Sequence, residues 1–271
     1  MGLANRYFMG KTMGHNPTMK HTLTALALAS FAAGVSAQTA PAPVAAINTD
    51  LAVRGSVSWN GKNVFRGIER SNSAGLVQSA VTIEYNVPGF TGVSTYLNFF
   101  NADGVERSYT LGAKTDSAYG VLDVGIQRLT SPSARTIGSD GFTQIRSNNE
   151  IYVGTTLTTV ALKPSAYLYY SNDLKQYTLE FAGSKTFSAA AVGLAGFDIV
   201  SKAYAGYSHA GASSYDVKNA YEYLGASVDL TRAVGQGAVL GAGVNWAYNT
   251  DGRAQTAGSS AWVRVFANFK F

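Results

Sequence analysis

This chain of 271 residues contains no cysteine and few charged residues. Without cysteine it cannot form disulfides, thiolate-bound metal sites or a thiol nucleophile. Charged residues make up 14% of the chain, against roughly 25% in an ordinary soluble domain. Its apolar runs are all shorter than the ~20 residues that a transmembrane helix needs, and its mean hydropathy is +0.01. These features exclude a helical membrane protein and a disordered polar segment.

Aromatic residues and glycine are plentiful instead. Aromatic residues make up 12% of the chain, hydrophobic residues 46%, and 29 residues are glycine. A weakly charged chain that is rich in tyrosine and glycine favours β-structure with an apolar outer surface.

The first part of the chain has the pattern of a signal peptide. Lys20 precedes an apolar run over 23–35, and Val35-Ser36-Ala37 supplies the small residues of a cleavage site. We therefore predict that the mature chain begins at Gln38 and that 1–37 comprise a signal peptide, starting at Met19, and an upstream extension. The alternative, an N-terminal core helix, is disfavoured by the Gln-Thr-Ala-Pro-Ala-Pro sequence that follows.

The basic character of the chain comes mostly from this leader. The formal net charge is +5, and residues 1–37 contain three basic and no acidic residues, which leaves about +2 for the remainder. Such a small charge gives no reason to expect nucleic acid as a partner. We expect a periplasmic Pro/Ala-rich segment over 38–50 and an outer-membrane β-barrel over 51–271.

Beyond Ile47 the apolar residues recur with a period of two. In 237–249, for example, Leu240, Val244 and Trp246 alternate with small or polar residues. This pattern predicts about twelve strands, at approximately 51–66, 76–87, 91–101, 105–115, 119–129, 149–159, 162–171, 175–186, 197–208, 219–230, 237–249 and 260–271. The apolar turn at 187–196 departs from the pattern.

The connections and the faces of these strands distinguish a membrane barrel from a soluble sandwich or lipocalin-like barrel. Long polar loops alternate with tight turns, and the strand count is even. One face of each strand is apolar and the other carries Gly, Ser, Thr, Asn and sparse charges, which is too hydrated for a packed core. We therefore predict an all-β fold, a transmembrane antiparallel up-and-down β-barrel. The terminal Phe271 is typical of the signal that the outer-membrane barrel assembly machinery recognises.

Two segments resemble one known family. Residues 57–68 contain Phe65-Arg66-Gly67 at the end of an aromatic-rich first strand, and 149–154 have the sequence Asn-Glu-Ile-Tyr-Val-Gly. Together with 162–167 and the aromatic C-terminal strand, they resemble the TorF-type porins. The resemblance implies a porin architecture, and it implies neither catalytic residues nor a particular solute.

The candidate functional residues are charged side chains on the polar faces of the predicted strands. They are Arg54, Lys62, Arg66, Glu84, Lys114, Asp123, Glu150, Glu180, Lys202, Asp229, Arg264 and Lys270. We expect them to line the lumen, with Arg54, Lys62 and Arg66 forming a basic ladder along the first strand. The alternative is that these charges only pair with one another in a narrow, plugged interior.

No catalytic, cofactor or metal motif is present in the sequence. The single histidine of the predicted mature chain, His209, is expected to be a solvated loop residue. The expected function is a passive outer-membrane channel for small hydrophilic solutes. The alternative is a closed structural or adhesion barrel whose loops, chiefly 130–148 and 250–259, bind an outside partner.

Overall fold

The protein is described here by a computed structural model. It covers residues 50–71, 75–130, 147–210, 220–250 and 258–271. The predicted leader, its cleavage before Gln38 and most of the 38–50 segment lie outside the described residues, as do most of the 130–148 and 250–259 loops.

Twelve of the strands form one closed antiparallel barrel, which confirms the predicted fold. In chain order the strands are β1 (Leu51–Asn60), β2 (Val64–Phe65), β3 (Ile68–Glu69), β4 (Leu76–Asn86), β5 (Val93–Ala102), β6 (Glu106–Asp116), β7 (Val121–Thr130), β8 (Ser147–Thr156), β9 (Ser165–Ser171), β10 (Gln176–Ser188), β11 (Asp198–Ala210), β12 (Ala220–Ala233), β13 (Ala238–Asn249) and β14 (Gly258–Lys270). Strands β2 and β3 pair only with each other. The barrel closes where β1 pairs with β14, so every barrel strand has two neighbours and no edge is left open.

The connections fall at two ends of the barrel. We call the end with the connections 61–75, 103–105, 131–146, 172–175, 211–219 and 250–257 the loop end. We call the other end, with 87–92, 117–120, 157–164, 189–197 and 234–237, the turn end. The apolar 189–197 connection contains a short 3-10 helix over Ala189–Val192, closed by Gly193 at φ +82°. This helix is why the period of two fails there.

Side chains alternate between an apolar outer surface and a polar interior. Each barrel strand exposes at least one large apolar or aromatic side chain: Val57, Val81, Leu97, Leu111, Ile126, Ile151, Leu168, Phe181, Tyr207, Leu224, Val244 and Val263. Polar residues are buried on the opposite face: Ser94, Glu106, Ser108, Asp123, Glu150, Ser171, Gln176, Thr178, Ser208, Asp229, Asn245 and Asn249. A soluble barrel has the reverse arrangement, so this surface suits a hydrocarbon environment.

Two local predictions differ from the structure. The first strand ends at Asn60, not at residue 66, because the chain turns inward after Gly61, whose amide donates to the Val263 carbonyl at 2.9 Å. His209 lies within β11 on the outer surface, where its ring stacks on Tyr207. It is therefore a strand residue and not a loop residue.

Candidate functional site in the barrel lumen

Most of the predicted lumen charges lie on inward-facing strand positions. The structure places Arg54, Glu84, Lys114, Asp123, Glu150, Glu180, Lys202, Asp229, Arg264 and Lys270 there. Acidic and basic side chains meet in this set: Arg54 lies 3.3 Å from Glu84, and the Arg264 guanidinium forms two hydrogen bonds with Asp229. The interior therefore has charge pairs in place of a field of one sign.

The predicted basic ladder does not form. Lys62 and Arg66 belong to the connection after β1, and we call its residues 61–71 the inner hairpin. Lys62 lies 2.9 Å from Glu69 of the same hairpin, while Arg66 reaches a different wall of the barrel. The ladder fails because the assumed period of two stops at Asn60, where the strand ends.

The inner hairpin turns at the Phe65-Arg66-Gly67 motif. Val64 pairs with Glu69 and Phe65 with Ile68, so Arg66 and Gly67 are the two central residues of the turn. Both have positive φ, +49° and +77°, as a type I′ hairpin turn requires. A Cβ at Gly67 would lie 2.6 Å from the Tyr223 Cβ, so a larger residue would have to displace the barrel wall.

Arg66 at the tip of the hairpin forms a two-pronged ion pair with Glu150 of β8. Its Nη1 donates to Glu150 Oε1 at 2.9 Å and its Nη2 donates to Oε2 at 2.8 Å. The two side chains are only 7% and 2% exposed. The guanidinium also lies 4.5 Å from the centre of the Tyr169 ring. We call this Arg66–Glu150 pair the clamp.

The surroundings of the clamp keep Arg66 charged. Burial by itself would lower the pKa of the guanidinium, but the charge of Glu150 and its hydrogen bonds raise it, so the pKa lies above its ordinary value. Glu150 also accepts a hydrogen bond from Asn148 Nδ2 at 3.0 Å. Both carboxylate oxygens of the buried pair therefore accept hydrogen bonds, which favours the persistence of such a pair.

Further contacts hold the inner hairpin across the lumen. Arg70 Nη1 donates to Glu106 of β6 at 2.7 Å, and Asn249 of β13 donates to the Gly67 carbonyl at 2.7 Å. Lys62 donates to Ser260 of β14 at 2.7 Å. The hairpin thus contacts strands on several sides of the barrel, which makes it a constriction at the loop end.

Aromatic rings occupy the lumen on several sides of the barrel, where each lies over a glycine on the paired strand. These pairs are Tyr96–Gly112, Tyr152–Gly125, Tyr167–Gly154, Tyr204–Gly225, Tyr223–Gly206 and Phe266–Gly241. A Cβ at Gly206 would lie 2.1 Å from the Tyr223 ring, so a side chain there would displace the ring. Tyr223 is completely buried, and its hydroxyl donates to Glu180 at 2.8 Å.

The lumen face of β4 to β7 also carries neutral polar side chains. Thr82, Asn98, Thr110 and Gln127 form one row of cross-strand neighbours, and each is half-buried. Their small or neutral polar side chains suit contact with water or a polar solute.

A cavity of about 900 Å³ occupies the turn end of the lumen. Its lining includes Arg54, Glu84, Lys114 and Asp123. The Asp123 oxygens accept hydrogen bonds from Tyr96 at 2.9 Å and from Tyr167 at 3.2 Å. This vestibule is polar, and both signs of charge face into it.

Sequence reasoning missed several residues that hold the constriction. Glu69, Arg70, Glu106, Asn148 and Asn249 all contact the inner hairpin or the clamp. The one usable signal is Gly67, which directly follows Arg66 at the end of the predicted first strand, because glycine suits a tight turn. The long-range partners carry no local signal.

The described part of the chain holds no group of three or more His, Cys, Asp or Glu side chains that could bind a metal ion. Over the same residues, the structure contains no helix of sufficient length and hydrophobicity to cross a membrane.

Three solved structures align with most of this chain at low sequence identity. The KdgM porin is 12% identical with a TM-score of 0.45, over 81% of this chain and 99% of that one. OccK10 of Pseudomonas aeruginosa is 13% identical with a TM-score of 0.37, over 82% and 70%. OprD of Pseudomonas aeruginosa is 11% identical with a TM-score of 0.39, over 82% and 65%. Values this low carry no argument about function, and the barrel fold rests on the strand pairing described above.

No family model matches the chain, and no curated protein matches it in sequence. The resemblance to TorF-type porins therefore stays a prediction.

Proposed function

We propose that this chain spans the bacterial outer membrane as a β-barrel, with the turn end facing the periplasm. The supporting observation is the apolar band that every barrel strand contributes to the outer surface. Exposed aromatic residues lie near the turn end, including Phe90, Tyr119 and Phe187, as expected for an interfacial girdle. Phe271 is 81% exposed, which suits recognition by the barrel assembly machinery.

We further propose that the barrel is a porin-like channel for passive diffusion of small hydrophilic solutes, without enzymatic activity. The observation that carries this function is a polar lumen that the inner hairpin crosses. A vestibule of about 900 Å³ lies at one end, and a row of half-buried neutral polar side chains crosses the lumen face of β4 to β7. A folded-in segment that narrows a polar lumen sets solute size and ion flow.

The finer proposal is that the chain is a TorF-type porin. In support of it, the distinctive residues of the two resembling segments meet in space. Arg66 from Phe65-Arg66-Gly67 binds Glu150 from Asn-Glu-Ile-Tyr-Val-Gly. The Arg66–Glu150 contact gives both segments the same physical role, which is to hold the inner hairpin in place.

A closed structural or adhesion barrel is the second candidate. The observation that favours it is the exclusion of water around the clamp, where Arg66, Glu150 and Tyr223 are all buried. In that case the inner hairpin is a plug, and binding to a partner falls to the loops around 130–148 and 250–259.

Single-channel conductance in a planar bilayer tests the channel. We expect discrete conductance steps for the unmodified protein. Glu150→Arg places two guanidinium groups together, so it should release the hairpin and increase the step size. The double variant Arg66→Glu with Glu150→Arg restores an opposite-charge pair and should return the steps toward their original size.

Arg128→Ala is the matched control, because Arg128 lies on the outer surface and should leave conductance unchanged. Folding of each variant is checked by heat-dependent migration in SDS gels. Folded protein that gives no steps in any variant, including one lacking 62–70, would favour the closed barrel. If the conductance steps have the same size in the unmodified protein, the single variant and the double variant, the clamp does not lie on the ion path.

A further inference from the structure

The outer surface of β5 to β8 changes character in three successive rows toward the loop end. The first row is aliphatic and consists of Leu97, Leu111, Ile126 and Ile151. The second row is Phe99, Tyr109, Arg128 and Asn149, and the third is Asn101, Arg107, Thr130 and Ser147. Apolar, aromatic and then cationic polar residues follow the order in which a bilayer passes from acyl chains to headgroups.

A shallow apolar pocket of about 580 Å³ lies across these rows. The Leu97, Leu111, Ile126 and Ile151 side chains contribute to its floor, and Phe99, Tyr109 and Arg128 lie at its upper part. Phe99 and Tyr109 pack edge to face with ring centres 5.7 Å apart. The pocket therefore has a rigid aromatic side and an aliphatic base that could contact an acyl chain.

Arg128 lines this pocket and Arg107 lies in the next row toward the loop end, and neither forms an ion pair with a carboxylate of the described residues. Arg128 makes no hydrogen bond or ion pair with any described residue, and Arg107 donates only to the Asn101 side chain at 3.2 Å. Arg107 pairs with Thr130 and Tyr109 pairs with Arg128, so the two arginines are diagonal neighbours. Residues in that relation lie ~7–8 Å apart, with their Cβ atoms somewhat closer, so both guanidinium groups can reach one anion.

Unpaired guanidinium groups at a membrane surface favour phosphate. Arginine presents a planar fork that binds phosphate oxygens in pairs, and such charge-assisted bonds are stronger than neutral ones. A ligand that also fills the apolar pocket must carry acyl chains. If the loop end faces outward, as proposed above, the available amphiphile is the phosphorylated glycolipid of the outer leaflet.

We propose that Arg107 and Arg128, with the pocket beneath them, form a binding site for the phosphorylated lipid A portion of lipopolysaccharide. One or both guanidinium groups bind a lipid phosphate, Tyr109 lies against the sugar headgroup, and an acyl chain lies along the aliphatic row. The inference rests on the proposed function only for the direction of the loop end. Binding at this wall is independent of conduction through the lumen.

The test measures binding of purified lipid A to the folded protein in detergent micelles by native mass spectrometry. Arg107→Ala with Arg128→Ala should weaken binding by about tenfold or more, since two charge-assisted contacts are removed. The matched control is Lys185→Ala with Arg232→Ala. These are two outward-facing cations near the turn end, over Phe187 and Phe197. This control should retain binding.

Lipid A without its phosphates separates the headgroup from the acyl chains. It should bind the unmodified protein more weakly than lipid A does, and the double arginine variant should cause little further loss. Equal binding of lipid A by the unmodified protein and the double arginine variant would overturn the proposal. Equal losses in both double variants would also overturn it, because they would indicate unspecific charge attraction.

Conductance distinguishes failure of this site from failure of the channel. The double arginine variant should conduct like the unmodified protein, because neither residue faces the lumen. If the protein binds lipid A but never conducts, the lipid site is supported and the proposed channel function is wrong. Dimers that depend on Arg107 and Arg128, without lipid A binding, would assign the surface to a second copy of the chain and overturn the lipid site.

Discussion

Arginines on the two faces of this barrel have opposite surroundings. Facing the lumen, Arg54, Arg66, Arg70 and Arg264 each lie within 3.3 Å of a carboxylate. Facing outward, Arg107, Arg128 and Arg232 form no ion pair with any carboxylate of the described residues.

The difference shows that the two faces use charge for different purposes. In the lumen, opposite charges bind protein to protein, and they hold the inner hairpin to β6 and β8. On the outer surface a carboxylate beside each arginine would neutralise it. An arginine without a carboxylate partner has N–H donors available for an external anion. Such anions occur only at the two ends of the outer surface, where the barrel meets the lipid headgroups.

An arginine placed away from the rims gives the largest expected effect. Leu111 is 51% exposed at the middle of β6, and Thr110 beside it faces the lumen. Leu111→Arg should lower the free energy of unfolding in lipid vesicles by about 2–4 kcal/mol, because the charge lies in hydrocarbon. Thr110→Arg should change it by at most about 0.5 kcal/mol, because the side chain can reach water. Urea titration measures both, and equal losses would contradict the assignment of the faces.

The next largest effect is expected when an arginine is replaced by alanine in the lumen, and the same replacement on the outer surface is the comparison. Arg264→Ala leaves Asp229, whose side chain is 4% exposed, without its guanidinium. The loss of unfolding free energy should be about 1–3 kcal/mol, the usual penalty for a buried polar group left unsatisfied. Arg128→Ala leaves no partner behind and should change stability in lipid-free micelles by less than about 0.5 kcal/mol.

A second substitution isolates the cause of that loss. Asp229→Asn removes the buried charge, so adding it to Arg264→Ala should recover part of the stability. If the double variant is no more stable than Arg264→Ala alone, the loss comes from packing against Phe266, which lies 4.9 Å from the guanidinium. In that case the pairing explanation fails for this arginine.

The barrel was predictable from sequence because its evidence is local. Alternation along a strand such as 237–249 places Leu240 and Val244 outward, and the structure has them there. The strand count follows from counting such segments, and the order of an up-and-down barrel follows from the chain itself. Apart from the pairing of β1 with β14 that closes the barrel, each barrel strand pairs with the next barrel strand in sequence, so long-range pairing adds little to this part of the problem.

The constriction was not predictable, because its contacts join distant segments. Arg66 and Glu150 are far apart in sequence, and nothing near Glu150 indicates that its carboxylate binds a hairpin tip. The alternation rule also misplaced Lys62 and Arg66, because it continued β1 through a turn. Lumen-facing rows on several strands must be aligned in register before such contacts can be inferred, and a single sequence does not supply that register.

The smallest expected effect concerns the most exposed lumen pair. Arg54 and Glu84 lie 3.3 Å apart, and their side chains are 52% and 16% exposed. Glu84 Oε1 keeps its hydrogen bond from Ser94 at 3.1 Å when Arg54 is removed, and Glu84 Oε2 has no hydrogen bond to lose. Arg54→Ala should therefore lower the free energy of unfolding by about 0–1 kcal/mol, the usual range for an exposed ion pair. The loss should shrink between about 0.01 M and about 1 M salt, because the Debye length falls from ~30 Å to ~3 Å.

A loss as large as that of Arg264→Ala, or one that salt does not change, would show that the turn-end vestibule is drier than its exposed side chains indicate. The lumen would then resemble a plugged interior more than an aqueous channel.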